Sequence, residues 1–232
     1  MTCAVYCDDG MAGNGLLALG SFKRVAPQMS AVMFTKRPKD FLWVKGVTVI
    51  DADEPLRAAH IDIDTWSRQY PGILGHYYRK VAMWLFMLEQ TSDATERHVF
   101  IDADVLFLRC IQPLLQYARG HRFAAMVEHW HPSIWSVFRH HSPALHRQVD
   151  LLFHGQAGPE RMRRRVYFNS GFLLAQNDED VHAAVKDVLA ASVLYPELSR
   201  QVPFSEQTLL NIATMARRVV CRDLYGMCVP SY

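Results

Sequence analysis

Two carboxylates one residue apart, Asp102 and Asp104, stand in the stretch HVFIDADVLFL, His98 to Leu108. Runs of β-branched and aromatic residues frame them on both sides. The first run reads as a buried strand and the second as its continuation after a turn. Residues i and i+2 of an extended chain point to the same side. Both carboxylates are therefore expected to face one spot at a strand end, where open α/β sheets put their ligands. At ~5 Å and an effective dielectric of ~20, two such charges repel by roughly 3 kcal/mol. Sharing a proton, meeting a cation or binding a metal relieves that repulsion. Oxygen-only ligands favour Mg²⁺, Mn²⁺ or Ca²⁺ over zinc or copper.

The Asp-x-Asp spacing occurs twice more, at Asp51 and Asp53 after VTVI and at Asp62 and Asp64 in HIDIDTW. Glu54-Pro55 follows the first of these with no second apolar run, which suits a solvated exit from a strand. The second lies in mixed polar sequence near Trp66 and suits carboxylates at a helix start. Only the Asp102 pair is framed on both sides.

The elements that must position this pair follow from periodicity. TCAVYC, SAVMFT, VTVI, HVFI, VLFL, RFAAMVE, VYFNSGFLLAQ and Val219 to Cys221 read as strands. HYYRKVAMWLFMLEQ reads as a strong helix with Trp84, Phe86 and Met87 in the core, and CIQPLLQYA as a short one. DEDVHAAVKDVLAASVL is a helix opened by acids, and SEQTLLNIATMARR one with Ser205 as its N-cap. After Asp8-Asp9-Gly10 comes GMAGNGLLALGSFKRV, helical in its second half. Its glycines suit either a plain strand-to-helix turn or a phosphate loop, although GMAGNG is neither G-x-G-x-x-G nor a Lys-bearing P-loop. Alternating strands and helices predict an α/β sheet with largely parallel strands.

The 232 residues suit one large domain or two small ones, and half are hydrophobic, enough for a sizeable core. The formal charge of +2 identifies no partner, and no nucleic acid is expected. No run of 18 apolar residues predicts a membrane span. The opening MTCAVYCDDG does not read as a signal peptide. Five cysteines without CxxC spacing favour a reducing, cytoplasmic setting over a disulfide framework. Cys3 and Cys7 fall on one strand face as small buried residues.

From His129 to Glu160 the character changes: six of the eleven histidines and two tryptophans crowd a stretch broken by Pro132, Pro143 and Pro159. It reads as an excursion on the sheet, at about 129–165, within a single domain spanning 1–232. His129, His131, His140 and His141 invite a zinc reading, but no Cys or HExxH frame accompanies them. Trp130, Trp135 and Phe138 could instead stack on sugar rings, or the stretch is a partly ordered surface loop. Arg161, Arg163, Arg164 and Arg165 read as the one dense basic run, either solvated or contacting an anionic acceptor or membrane headgroups.

Four segments in this order resemble a GT-A glycosyltransferase: the strand end at Asp8-Asp9, the helix bearing Tyr78, Arg79 and Lys80, the Asp102-Ala103-Asp104 stretch, and the pair FNSGFLL and SEQTLLN. The likeness is greatest to retaining enzymes of glycosyltransferase family 8, of the glycogenin and lipopolysaccharide galactosyltransferase type, and covers nearly the whole chain except the His-rich excursion. It implies a GT-A-like nucleotide-diphospho-sugar transferase fold, with a mixed, mostly parallel central sheet flanked by helices. It also implies a metal-dependent hexosyltransferase using Mn²⁺ (or Mg²⁺) and a UDP-sugar donor, acting on a carbohydrate, lipid-linked or protein acceptor.

By that resemblance Asp102 and Asp104 hold the metal against the diphosphate. Asp8 and Asp9 stand where an acid meets the uridine. Lys80, with Arg79 beside it, matches the basic position that contacts the donor. Asn169 lines the sugar pocket, and Glu206 and Gln207 match the first two positions of an Asp-Gln-Asp-like stretch near the anomeric carbon. Gln207, a poor nucleophile, is assigned orientation and charge stabilisation, which favours front-face substitution over a covalent intermediate. Two departures stand out. Thr208 occupies a usual Asp position. The family's His-containing motif, which supplies a third metal ligand, would follow LYGMCVPSY, where this sequence ends. The rival expectations are a sugar nucleotidyltransferase and a degenerate glycosyltransferase-like scaffold.

Overall fold

The computed structural model describes residues 1–8, 10–91, 93, 95–128 and 130–224. Asp9, His129 and the segment Tyr225 to Tyr232 lie outside the described residues. Among the described residues seven strands form one sheet: β1 (Thr2–Cys7), β2 (Ser30–Thr35), β3 (Thr48–Asp51), β4 (Arg97–Ile101), β5 (Phe123–Val127), β6 (Phe168–Gln176) and β7 (Cys221–Asp223). Their order is β3-β2-β1-β4-β6-β5-β7. Strands β1, β2, β3 and β4 are parallel, β6 runs antiparallel to both neighbours, and β7 is parallel to β5.

Strand alternation divides the core in two. Cys3, Val5 and Cys7 of β1 enter one layer with Leu19 and Phe22, while Ala4 and Tyr6 enter the other with Trp84, Leu209 and Leu210. The first layer is covered by α1 (Ala12–Val25). The second is covered by α4 (Ile73–Glu89), α9 (Glu179–Leu194) and α11 (Ser205–Ala216), while the short helices α2 (Glu54–Ala58), α5 (Gln112–Tyr117) and α10 (Pro196–Gln201) lie in connections. Both faces of β1, β2 and β4 are thus buried, as parallel sheets require, while the edge strand β3 stays partly exposed. Cys3 and Cys7 are wholly buried. Burial pushes the Cys7 thiol up to about 12, which removes it as a nucleophile at neutral pH.

Several helices begin where expected. The Asp178 carboxylate accepts from the backbone N–H groups of Asp180 and Val181 and caps α9. Asp62 accepts from Thr65 N and caps α3 (Ile63–Gln69), so this acidic pair opens a helix. GMAGNG takes the plain-turn reading: Met11 N donates to the Asp8 carboxylate and α1 starts at Ala12. A Cβ at Gly15 would stand 2.1 Å from Cys7 Sγ, so this glycine serves the close approach of α1 to β1.

Three expectations are corrected. Val105–Leu108 is not a strand. After Ile101 the chain turns, with Val105 N donating to Asp102 O, and Leu106 and Leu108 stay exposed. Only Phe107 is buried, against Phe22 and Phe172. Ser205 is not a side-chain cap; Phe204 precedes α11, and both residues have positive φ. The excursion folds as three short helices, α6 (Ile134–Phe138), α7 (Pro143–Leu152) and α8 (Pro159–Arg163). Ser133 and Ser142 cap the first two. Pro143 and Pro159 occupy first-turn positions, where a missing N–H costs nothing, so these prolines start helices.

Candidate active site

The site lies at the edge where β1 and β4 end and β6 begins. Asp8 follows β1 and Asp102 follows β4, and these strands are paired neighbours. Because β6 is antiparallel to β4, its first residues reach the same edge: Asp102 N donates to Gly171 O at 2.8 Å.

Strand β6 is bulged there. Ala125 pairs with Leu173, but Met126 pairs with Asn169, so Ser170, Gly171 and Phe172 are extra relative to β5. Bulges of this kind re-aim side chains. Ser170 is turned toward α4 and α11, and Asn169 Oδ1 accepts from Gly171 N at 2.6 Å. A Cβ at Gly171 would lie 2.8 Å from both Asn169 Oδ1 and Asp102 Oδ2. Glycine is what lets the two side chains converge.

Lys80 is the centre of the arrangement. Its side chain is 4 % exposed, and Nζ lies 2.9 Å from Asp102 Oδ1, 3.2 Å from Glu206 Oε1 and 3.3 Å from Ser170 Oγ. Burial alone would lower its pKa, but the Glu206 and Asp102 carboxylates outweigh burial and raise it. The ammonium also lies 5.5 Å from the Trp84 ring centroid and 5.8 Å from that of Tyr77. Glu206 is equally enclosed, at 4 % exposure. Ser170 Oγ lies 3.1 Å from Glu206 Oε1 and 3.3 Å from Gln207 Oε1; with one proton, the hydroxyl serves one of them at a time. Gln207 Oε1 also accepts from Ser170 N at 3.1 Å.

The entry to α11 brings these groups in. Phe204 (φ 52°) and Ser205 (φ 40°) are consecutive non-glycine residues in the left-handed region. Each costs on the order of 1–2 kcal/mol, and such strain concentrates at functional sites. Thr208 does not reach the cluster; it is buried and shares a 2.8 Å hydrogen bond with the Tyr167 hydroxyl.

Asp102 and Asp104 differ in surroundings. Asp102 is half-buried and bound by Lys80, whereas Asp104 is exposed in the turn. The i, i+2 rule for extended chain does not apply across that turn, so the expectation that both carboxylates face one spot does not follow from strand geometry. Asp102, Glu206 and Lys80 together carry a net charge of −1, and Asp104 makes it −2. That surplus and the hard oxygen donors suit a divalent cation that keeps waters and meets phosphate. Among the described residues no group of three or more His, Cys, Asp or Glu side chains is gathered for a metal.

Arg79 and Lys80 part company because adjacent helical residues point about 100° apart. Arg79 Nε donates to Asp53 Oδ1 at 2.8 Å and its NH2 to Ser67 Oγ at 3.2 Å. The Asp51–Asp53 pair is accordingly no solvated exit: Asp53 neutralises a buried arginine, and Asp51 pairs with Arg57 at 2.8 Å. His76, not singled out from the sequence, lies one turn before Lys80 on α4. Its Nδ1 is 3.5 Å from Asp8 Oδ2, and its ring meets Tyr6 edge-on at 4.6 Å. The i, i+4 spacing from Lys80 is the signal that could have located it.

Of the excursion's histidines that are described, His146 Nε2 bonds Phe138 O, His140 meets Arg139, and His131 packs on Tyr167 and Phe204. His141 and His146 both pack on the Phe138 ring, and among the described residues no three of these histidines gather as metal ligands. In the basic run, Arg161 bonds Gln156, and Arg163 and Arg164 both pair with Glu160.

The model of glycosyl transferase family 8 matches residues 73–218, well over half of the chain. The chain belongs to glycosyl transferase family 8. The match includes Lys80, Asp102, Asp104, Asn169, Glu206 and Gln207. Among solved structures, mouse xyloside xylosyltransferase 1 in its apo form is similar over 97 % of this chain and 85 % of its own, with 14 % identity and a TM-score of 0.52. The apo-form glycosyltransferase GlyE of Streptococcus pneumoniae TIGR4 is similar over 96 % of this chain and 45 % of its own, with 13 % identity and a TM-score of 0.52. Galactosyltransferase LgtC, in complex with donor and acceptor sugar analogues, covers 91 % of this chain and 70 % of its own at 16 % identity, with a TM-score of 0.47. No curated protein matches the sequence. At such identities likeness concerns the fold, and the fold is GT-A: a mixed α/β sheet, mostly parallel and flanked by helices, as expected from the sequence.

Proposed function

We propose that this family 8 glycosyltransferase moves a hexose from a UDP-sugar to an acceptor hydroxyl, with retention and with Mn²⁺ or Mg²⁺. The observation that carries the reading is Lys80, a buried cation held between Asp102 and Glu206 at the sheet edge. Departure of a nucleoside diphosphate puts negative charge on the β-phosphate, and a preorganised cation there stabilises it without proton transfer. Asp102 and Asp104 are the residues that would hold the divalent ion, which when bound neutralises the diphosphate.

Binding the donor requires rearranging existing contacts. Lys80 exchanges part of its carboxylate contact for phosphate or sugar oxygens, and Glu206 remains beside it to stabilise positive charge near the anomeric carbon. Gln207 orients the sugar through its amide. Ser170 restrains Gln207 Oε1, which fits a positioning role better than nucleophilic attack. Asn169 lines the same pocket from β6. Asp8 receives the nucleoside end, and Asp9 is assigned there by resemblance alone. Arg79 belongs to the supporting structure, through Asp53.

A screen of UDP-sugars with Mn²⁺, read first as thermal stabilisation and then as UDP release, tests the proposal. One UDP-sugar should stabilise selectively and release UDP. Pyrophosphate-dependent release of UTP would instead identify a nucleotidyltransferase, and stabilisation without turnover under any acceptor would identify a binding scaffold.

A further inference from the structure

A sparser set of cations lies in the crossover between β2 and β3. Within KRPKDFLWVK, Lys36 to Lys45, four cations (Lys36, Arg37, Lys39 and Lys45) accompany a single acid, Asp40. Arg37 takes up Asp40. All four cationic side chains are exposed, and among the described residues Lys36, Lys39 and Lys45 have no carboxylate within ion-pair distance. Between them Leu42 is 72 % exposed and Trp43 71 %.

The apolar pair is held outward by its own scaffold. The Trp43 indole N–H donates to Asp40 O at 2.7 Å. Asp40 N donates to Arg37 O, and Val44 N to Phe41 O, giving two successive turns. Phe41 packs against the α1 core layer and anchors the loop. Thr35, the residue just before the run, pairs with Cys7 and Asp51, so the loop leaves the sheet at the edge that carries Asp8.

We propose that this turn is a membrane-docking element that takes an anionic lipid surface. Trp43 and Leu42 enter the boundary between headgroups and acyl chains, the depth that Trp favours. Lys36, Lys39 and Lys45 meet headgroup phosphates around them. Charge complementarity selects this occupant: three exposed cations without a carboxylate partner among the described residues flank two adjacent exposed apolar residues along one short turn. An oligonucleotide would use the cations but gives an exposed leucine no apolar partner. The basic run at the end of α8 fits the role less well, because Arg161, Arg163 and Arg164 are already engaged and, among the described residues, only Arg165 of the run lacks such a partner. Docking here does not depend on which donor the cleft accepts.

Co-sedimentation of the full chain with phosphatidylcholine vesicles, with and without about 30 mol % phosphatidylglycerol, tests the proposal. Partition onto the anionic vesicles should be about tenfold stronger or more, and should fall as salt rises. Leu42→Ala with Trp43→Ala should reduce it about tenfold, as should Lys36→Glu, Lys39→Glu and Lys45→Glu together. Arg161→Ala, Arg163→Ala and Arg164→Ala together should leave it within about twofold. In the unmodified chain, spin-labelled phosphatidylcholine in the same vesicles should quench tryptophan emission. Equal partition onto both vesicle types would overturn the proposal, as would indifference to the Leu42/Trp43 change. Loss confined to the α8 variant would move the contact to α8. Polyuridylate bound as tightly as anionic vesicles, with Leu42 and Trp43 dispensable, would assign a nucleic acid instead.

Discussion

Lys80 stays charged in a nearly water-free setting because two carboxylates flank it. Removing it strands Glu206. Breaking a buried pair costs about 3–5 kcal/mol, because the remaining charge has no compensation. Lys80→Ala should therefore lower unfolding free energy by about that amount, and Lys80→Ala with Glu206→Gln should recover most of it. Denaturant titrations of the two variants check this; equal losses would show that Glu206 does not depend on Lys80. The residue types were legible at Asp102, Lys80 and Glu206. Their mutual contact was not, since they lie far apart in the chain and meet only through the sheet edge. Arg79 shows the limit: its chemistry equals that of its neighbour, and only the helical rotation between them sends it to Asp53.

At the scale of elements, the β6 bulge is what assembles the site. FNSGFLL has the alternation of an ordinary strand, so its presence was legible and its register shift was not. Such a shift depends on what β4 and β5 each demand of the shared strand. Gly171 is the sensitive position. In Gly171→Ala the three atoms nearest the new methyl all belong to the Asp102 and Asn169 side chains rather than to backbone. Both can swing aside, so stability should fall by no more than about 1–2 kcal/mol. Metal-dependent UDP affinity should nonetheless fall about 10–100-fold, the usual effect of disturbing what orients a metal ligand. Calorimetry beside thermal denaturation separates the two effects; a large stability loss with intact affinity would contradict this role. The excursion was misread for a related reason. Proline breaks a helix interior but favours its first turn, and composition alone does not show which position a proline will occupy.

For the whole molecule, buried histidines set a pH response. His98 is enclosed in β4, with neither ring nitrogen hydrogen-bonded among the described residues, and His76 is partly enclosed beside Asp8; burial lowers both pKa values. Below about 6.5 the unfolded chain takes up protons that the folded chain resists. Stability should therefore be flat above that pH and fall as pH drops through it. His98→Leu should flatten the fall without lowering stability at pH 8, as urea titrations across that range would show. The architecture itself was the most legible level, because strand and helix periodicities alternate through most of the chain. The central claim is that the Asp102 edge takes a metal–diphosphate donor, and titration calorimetry of UDP addresses it directly. UDP should bind the unmodified chain at least about tenfold more tightly with Mn²⁺ than without, and Asp102→Ala should erase that difference. The same UDP affinity with and without Mn²⁺, or an unchanged Mn²⁺ effect in Asp102→Ala, would contradict the account.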